Sequence, residues 1–349
     1  MNQEVRLSQL PGALLPWYRQ NRRSLPWRED REPYHVWVSE IMLQQTRVEA
    51  VKGYYNRFLA ALPTVADLAR CDDDVLHKLW EGLGYYSRVR NLKKAAQVIM
   101  DLHGGVFPGK YEDIRALPGI GDYTAGAICS ICFDQPTPAV DGNVLRVISR
   151  LTDDAAPIDQ PARKKAVQML LSEIYPEEAG DFTQALMELG ATVCGPNRLP
   201  ACQNCPCRSF CLGNLRGTAE ELPVKSPKKG RKEEDLTVFI LSCGETLALR
   251  KRGDRGLLAS MWEFPNVPGT LDAPGAIRWA EGMGLRPVDI RRIAPKQHIF
   301  THIQWNMTGI YLEVSERIGD FQWFTAQEIE EKSALPTAFR QFWEDRDCV

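Results

Sequence analysis

No stretch of the chain is apolar over the length that a membrane helix needs, and no basic, apolar, small-residue leader opens it at Met1. Both absences lead to the expectation of a cytoplasmic, bacterial-type intracellular protein. An excess of one charge is also missing, since 43 Lys and Arg stand against 45 Asp and Glu for a net charge of −2. Composition therefore gives no hint of a nucleic-acid partner, and any basic face must be local. No internal repeat is present. Cysteine is not scarce, at ten residues, but five of them lie between positions 194 and 211 and the rest are scattered. That clustering is unlike the disulfide framework of a small secreted chain and points to a metal site in a reducing compartment.

What is there is ordinary for a globular protein, with 44% apolar and 25% charged residues. A chain of 349 residues is long for one domain, so two or three are expected. Residues 7–21 read as a helix with Leu7, Leu10, Leu14, Leu15 and Tyr18 on one face, and Pro16 is expected to kink it. Residues 22–28 follow as an extended basic connector. From 34 to about 134 the pattern is helical, with breaks at Pro63, Gly82–Gly84, Gly104-Gly105 and Pro118-Gly119, and no strand-like alternation of any length. Residues 159–190 are again helical and end at the cysteines. Residues 213–235 hold Pro223 and Pro227 among Lys225, Lys228, Lys229, Arg231 and Lys232, which reads as a solvated linker. Beyond it, 236–241, 246–251 and 303–314 are short runs rich in β-formers, with helix-like pieces at 276–282 and 338–345. The expectation is an all-α region followed by an α+β region.

Five stretches carry candidate chemistry. In Leu117-Pro118-Gly119-Ile120-Gly121 the glycines lack a Cβ, so their backbone N–H groups can approach a phosphate at the N-terminus of the next helix. Val140-Asp141-Gly142-Asn143-Val144 sets a carboxylate in a turn between apolar runs. Each also reads as an ordinary glycine turn or an N-capping aspartate. Glu40 has Val36 and Trp37 one turn before it and Leu43 one turn after it, so it projects from the apolar face of a helix. A desolvated carboxylate stays protonated near neutral pH, as a general acid must. The alternative is a core Glu paired with an arginine. In Gly82-Leu83-Gly84-Tyr85-Tyr86 a tight loop would present Leu83 and Tyr85 as a wedge into a base stack, unless these side chains pack in the core. Cys194, Cys202, Cys205 and Cys211 form C-x7-C-x2-C-x5-C, which suits zinc or a [4Fe–4S] cluster, with free thiols as the alternative.

Together the hairpin, the VDGNV turn, the SEIMLQQT segment at 39–46, the GLGYY loop and the cysteines resemble the helix-hairpin-helix DNA glycosylases, and among these the MutY-type adenine DNA glycosylases. The resemblance implies that Glu40 protonates N7 of adenine and that Asp141, supported by Asn143, stabilises the oxocarbenium-like sugar. Pro118, Gly119 and Gly121 would contact the backbone. Gln45 and Thr46 would enter the duplex around the damaged guanine, while Tyr85, next to Leu83, would intercalate beside it. Arg23, Trp27, Arg28 and Gln184 would line the adenine pocket. Tyr123 stands where endonuclease III-type relatives carry a Schiff-base Lys, and a phenol cannot form the imine, so base removal without efficient strand cleavage follows. The cysteines would hold a [4Fe–4S] cluster that sets a basic loop (Arg198, Arg208) near phosphates, although the family's usual first spacing is six residues and here it is seven.

Residues 257–265 resemble the core of a Nudix-like fold, but the segment 275–282 has a single Glu where Nudix hydrolases cluster several around Mg²⁺. Phe300-Thr301-His302 matches the family's Phe-Ser-His loop against 8-oxoguanine, with Thr in place of Ser. The implied organisation is an iron-sulphur helical domain (1–30 and 135–212), a six-helix domain (31–134), a linker (213–235) and a Nudix-like recognition domain (236–349). The implied partner is duplex DNA with adenine opposite 8-oxoguanine, met by a monomer at the nucleoid. Two rivals remain. One is an endonuclease III-like glycosylase/lyase for oxidised pyrimidines, disfavoured by the missing Lys. The other is a non-catalytic DNA-binding Fe–S module, disfavoured by the presence of both Glu40 and Asp141.

Overall fold

The computed structural model describes residues 7–196, 199–227 and 230–346; Arg198, Lys228 and Lys229 lie outside them. The chain forms two compact units, Met1–Arg70 with Asn91–Lys228, and Cys71–Arg90 with Lys229–Val349. Among the described residues no helix is long and apolar enough to cross a membrane.

The first unit is helical. Leu10–Asn21 begins three residues later than its apolar periodicity suggests, because Pro11 suits a first turn, and Pro16 is held inside it. The connector after it is extended only in part, since Pro26–Arg28 closes a 3₁₀ turn. Pro33–Leu43 also starts on a proline and is buried at every residue from Val36 to Met42. Asp122–Phe133, Gly142–Thr152 and Ala179–Thr192 complete the frame around it. The stretch expected as one helical region at 159–190 is two helices, Pro161–Ser172 and Ala179–Thr192. Leu10, Leu14 and Tyr18 pack with Val144, Ile148, Phe182 and Leu186 in one apolar core.

The second unit is built on a mixed sheet. Its strands are β1 (Lys232–Cys243), β2 (Thr246–Lys251), β3 (Trp262–Glu263), β4 (Asn266–Pro268), β5 (Pro287–Ile299), β6 (Ile303–Val314) and β7 (Gln322–Thr325). The order is β3-β2-β1-β6-β5, with β1 parallel to β6 and the other pairs antiparallel. Alternation on β1 feeds two cores, Val238 and Ile240 on one face and Phe239 and Leu241 on the other. The helix Thr337–Glu344 covers the first face with Phe339 and Phe342; Ala273–Gly282 covers the second with Ala276 and Ala280.

Three features differ from the sequence reading. The presumed linker 213–235 contains most of the helix Leu212–Arg216 and the start of β1, whose Lys232 to Asp235 pair with β6 despite their charge. The long strand β5 has no β-rich signature because it is an edge strand exposing Arg291, Ile293, Pro295 and Gln297. Residues 71–90, read as part of the six-helix region, belong to the sheet unit, where Glu81 accepts from Leu335 N at 3.0 Å and Arg340 Nη1 at 2.8 Å.

Candidate active site

Pro33–Leu43, Gly142–Thr152, Ala179–Thr192 and the connector after Asn21 border a cleft of about 1020 Å³ in the helical unit. Glu40 enters it from the middle of an apolar helix and is 5% exposed. Tyr123, in the first turn of Asp122–Phe133, donates its hydroxyl to Glu40 Oε2 at 2.6 Å. Burial pushes the Glu40 carboxyl up to about 7, and Asp141 adds to the rise, while the Tyr123 bond and Arg28 work against it. Burial and the neighbouring carboxylates hold the Tyr123 phenol well above its ordinary value.

Asp141 is the N-cap of Gly142–Thr152, so the plain capping role and the functional one coincide. Its Oδ1 accepts from Val144 N at 2.7 Å and its Oδ2 from Asn143 Nδ2 at 2.8 Å. Burial raises its pKa, and these two bonds oppose that rise. One oxygen is thus spent on the helix, and the other is held by Asn143. Asn143 is in turn fixed by Arg146 Nη2, which donates to its Oδ1 at 2.9 Å and to Gly190 O at 2.8 Å, while Arg146 Nε donates to Cys194 O at 2.8 Å. Gly190 makes this approach possible, because a Cβ there would lie 2.7 Å from the Asn143 Cβ.

Arg23, Trp27 and Arg28 border the same cleft from the connector, Gln184 from Ala179–Thr192, and Gln45 and Thr46 from the end of the acid helix. Gln45 has φ +60, which turns the chain sharply after that helix. The hairpin is placed apart, since Pro118, Gly119 and Gly121 do not border the cleft. Gly119 takes φ +77, and a Cβ there would meet the Asn91 Cβ at 2.6 Å, so glycine is required by both backbone and space. Gly121 caps Asp122–Phe133 with no side-chain bond, and the adjacent Asp122 is engaged by Arg115 Nε at 2.6 Å.

In the sheet unit the wedge reading needs a correction. Leu83 is 7% exposed and packs inward, whereas Tyr85 is 49% exposed with φ +47. The glycines on either side, Gly82 and Gly84, also have positive φ, and the turn they make sends Tyr85 outward. The Tyr85 hydroxyl lies 2.7 Å from Thr301 Oγ1, so two residues 216 positions apart share one hydrogen bond. Thr301 and His302 are exposed at the tip of the β5–β6 hairpin, anchored by Phe300, whose ring packs edge-on against Trp305 at 4.8 Å.

Cys194, Cys202, Cys205 and Cys211 border one small cavity with Cys207, and Arg150 Nη1 donates to Cys194 Sγ at 3.2 Å. Soft sulfur donors beside an arginine suit an anionic thiolate cluster. As these side chains stand, however, no three His, Cys, Asp or Glu among the described residues form a group that would hold a metal ion. The donor set is thus of the right chemistry for a thiolate-bound group, gathered on one cavity without forming a closed ligand group. Arg208, expected on a basic loop, is exposed.

Two site residues escaped the sequence reading, Arg146 and Glu188. Glu188 is 1% exposed, and its carboxylate takes Arg23 and Arg28 together. Its signal was the one that singled out Glu40, a lone acid in an apolar helical run from Ala185 to Ala191.

Residues 38–176 match the HhH-GPD superfamily of base excision DNA repair proteins, and 237–345 match the NUDIX domain. Adenine DNA glycosylase of Rattus norvegicus is 34% identical, over 95% of this chain and 78% of the rat protein. The Homo sapiens adenine DNA glycosylase is 34% identical, over 95% of this chain and 72% of its own length. That of Buchnera aphidicola is 34% identical over 74% of this chain and 75% of the relative. Among solved structures, a thermostable thymine-DNA glycosylase superposes with a TM-score of 0.54 at 27% identity, covering 61% of this chain and 97% of that one. An endonuclease III trapped covalently on DNA shares the fold, with a TM-score of 0.53 at 22% identity over 62% of this chain and 99% of its own. With helices that match the base excision repair superfamily, a C-terminal sheet unit that matches the NUDIX domain, and relatives 34% identical over nearly the whole chain, the chain belongs to the adenine DNA glycosylase family.

Proposed function

We propose that the protein acts as a monomer on duplex DNA and hydrolyses the N-glycosidic bond of adenine mispaired with 8-oxoguanine or guanine, leaving the strand uncut. The observation that carries this reading is the pair of carboxyl groups on one cleft, Glu40 buried with its pKa pushed up to about 7 and Asp141 half-buried with both oxygens accepting hydrogen bonds. Glu40, still protonated near neutral pH, gives its proton to N7 of the extruded adenine and makes the base a better leaving group. Asp141 would face the sugar as positive charge develops at C1′, and Asn143 fixes its orientation. Tyr123 holds Glu40 in place and cannot form an imine, so no lyase step follows. Trp27, Arg28 and Gln184 line the space for the base, with Gln45 and Thr46 at the duplex side.

Gly119 and Gly121 would contact the DNA backbone from outside the cleft. Recognition of the opposite base falls to Tyr85 and Thr301, whose paired hydroxyls are exposed, with Phe300 as anchor and His302 beside them. Cys194, Cys202, Cys205 and Cys211 would hold a [4Fe–4S] cluster. The cluster would supply structural order to the loop that carries Arg208, and no chemical step depends on it.

Single-turnover assays on duplexes pairing A with 8-oxoguanine, G or T, with a thymine-glycol duplex as control, test the reading. Rapid adenine release opposite 8-oxoguanine, slower release opposite G and no borohydride-trapped adduct are expected. Release of thymine glycol with a trapped adduct would instead favour the pyrimidine glycosylase/lyase.

A further inference from the structure

We propose that Glu188 is a positioning residue of this cleft: its carboxylate fixes Arg23 and Arg28 on the connector so that Arg28 is held against Glu40. The inference rests on the reading of Glu40 as the acid.

The connector cannot fix two arginines by itself. It has a single 3₁₀ turn, Pro26–Arg28, and long arginine side chains lose much rotamer freedom when ordered. Glu188 supplies the missing constraint. Its side chain is fully inaccessible, and Oε1 accepts from Arg23 Nε at 2.6 Å and from the Arg23 backbone N at 3.3 Å. Oε2 accepts from Arg23 Nη2 at 3.0 Å and from Arg28 Nη2 at 2.8 Å. The fork closes on itself through Arg28 Nη1, which donates to Arg23 O at 3.2 Å. Both carboxylate oxygens are engaged by cations, so Glu188 acts through the arginines and not on the base directly. Burial alone would raise its pKa, but the bonds and charges of the two arginines outweigh burial and hold it below the ordinary value.

The helix bearing Glu188, Ala179–Thr192, packs against Leu10–Asn21, Asp122–Phe133 and Gly142–Thr152. It is thus tied to the elements that carry Tyr123 and Asp141. The groups that face Glu40 are the Tyr123 hydroxyl, Asp141, Arg28 and the half-buried thiol of Cys132. Arg28 is the one cation among them. Its position therefore bears directly on how readily Glu40 keeps its proton.

The test is the pH dependence of single-turnover adenine excision, normalised to active sites, for wild type, Glu188→Gln, Glu188→Asp, Arg28→Met and Arg28→Met with Glu188→Gln. Loss of the fixing charge releases Arg28, so the alkaline limb moves upward by roughly half a pH unit or more in Glu188→Gln, the scale of one partly screened charge. Arg28→Met moves it as far, the double variant moves it no further, and Glu188→Asp returns it toward wild type. A limb that stays in place while only the active fraction falls would show a purely structural role and overturn the proposal. A downward shift, or a doubled shift in the double variant, would do the same. Should Glu188→Gln not fold, Arg28→Met in the Glu188→Asp background decides, because a shift beyond that of Arg28→Met alone contradicts the proposal. If wild type has no alkaline limb, or Glu40→Gln still releases adenine, the reading of Glu40 has failed instead.

Discussion

The helical unit and the sheet unit treat their functional polar groups in opposite ways. In the first, Glu40, Glu188, Arg146 and Arg150 are each 6% exposed or less, and each is held by named partners. In the second, Tyr85, Thr301 and His302 stand in solvent, and their rigidity comes from the buried Leu83 and the anchored Phe300 behind them. The contrast follows from what each region is proposed to do. Proton transfer at neutral pH needs a carboxyl whose charged form is penalised, and only burial supplies that. Reading a base edge needs hydroxyls and imidazoles that are accessible yet preorganised.

The comparison breaks first at Glu40. Glu40→Gln keeps shape and an acceptor for Tyr123 but removes the proton, so single-turnover excision is expected to fall roughly a hundredfold to ten-thousandfold, with duplex affinity nearly unchanged in a gel-shift titration. Asp141→Asn should cost about a hundredfold in the same assay, while thermal melting stays close to wild type because Asn caps a helix as well as Asp. A large drop in melting temperature would mean that Asp141 serves mainly as a cap.

Burial of Glu40 also predicts a stability effect with a definite sign. Its folded pKa, about 7, is raised above its ordinary value of 4.5, so ionising it opposes folding increasingly as pH rises from about 4.5 through 7. Glu40→Gln should therefore stabilise the protein at pH 8 by on the order of 1–3 kcal/mol, an advantage that vanishes below about pH 4.5. Urea denaturation at the two pH values measures it.

The smallest effect sharpens the other side of the comparison. Tyr85→Phe or Thr301→Val removes one hydroxyl of a shared bond, worth ~1 kcal/mol, and should lower the preference for 8-oxoguanine over guanine by about fivefold. The double variant should lose no more than either single one, and adenine release opposite G should stay unchanged.

That Glu40 and Asp141 border one cleft was in part legible in the sequence, because a carboxylate beside apolar runs leaves a local trace. Glu40 interrupts an apolar helical face, and Asp141 precedes a strongly amphipathic helix. Glu188 left the same trace in a less distinctive run. The hydrogen bond between Tyr85 and Thr301 had no local trace, since the two lie 216 residues apart and only the pairing of 71–90 with the sheet unit joins them. The strand Pro287–Ile299 was illegible because an edge strand with one wet face does not show the β-branched alternation of a buried one. Leu83 was misplaced for a related reason, as two flanking glycines announce a turn without telling which side chain it throws outward.

The central claim is that excision depends on a buried carboxyl kept protonated near neutral pH. The most direct measurement is the wild-type single-turnover rate on an adenine:8-oxoguanine duplex across about pH 5 to 9. The account expects a rate that falls as pH rises through about 7, as Glu40 gives up its proton. A rate that holds level or climbs through that range would contradict it.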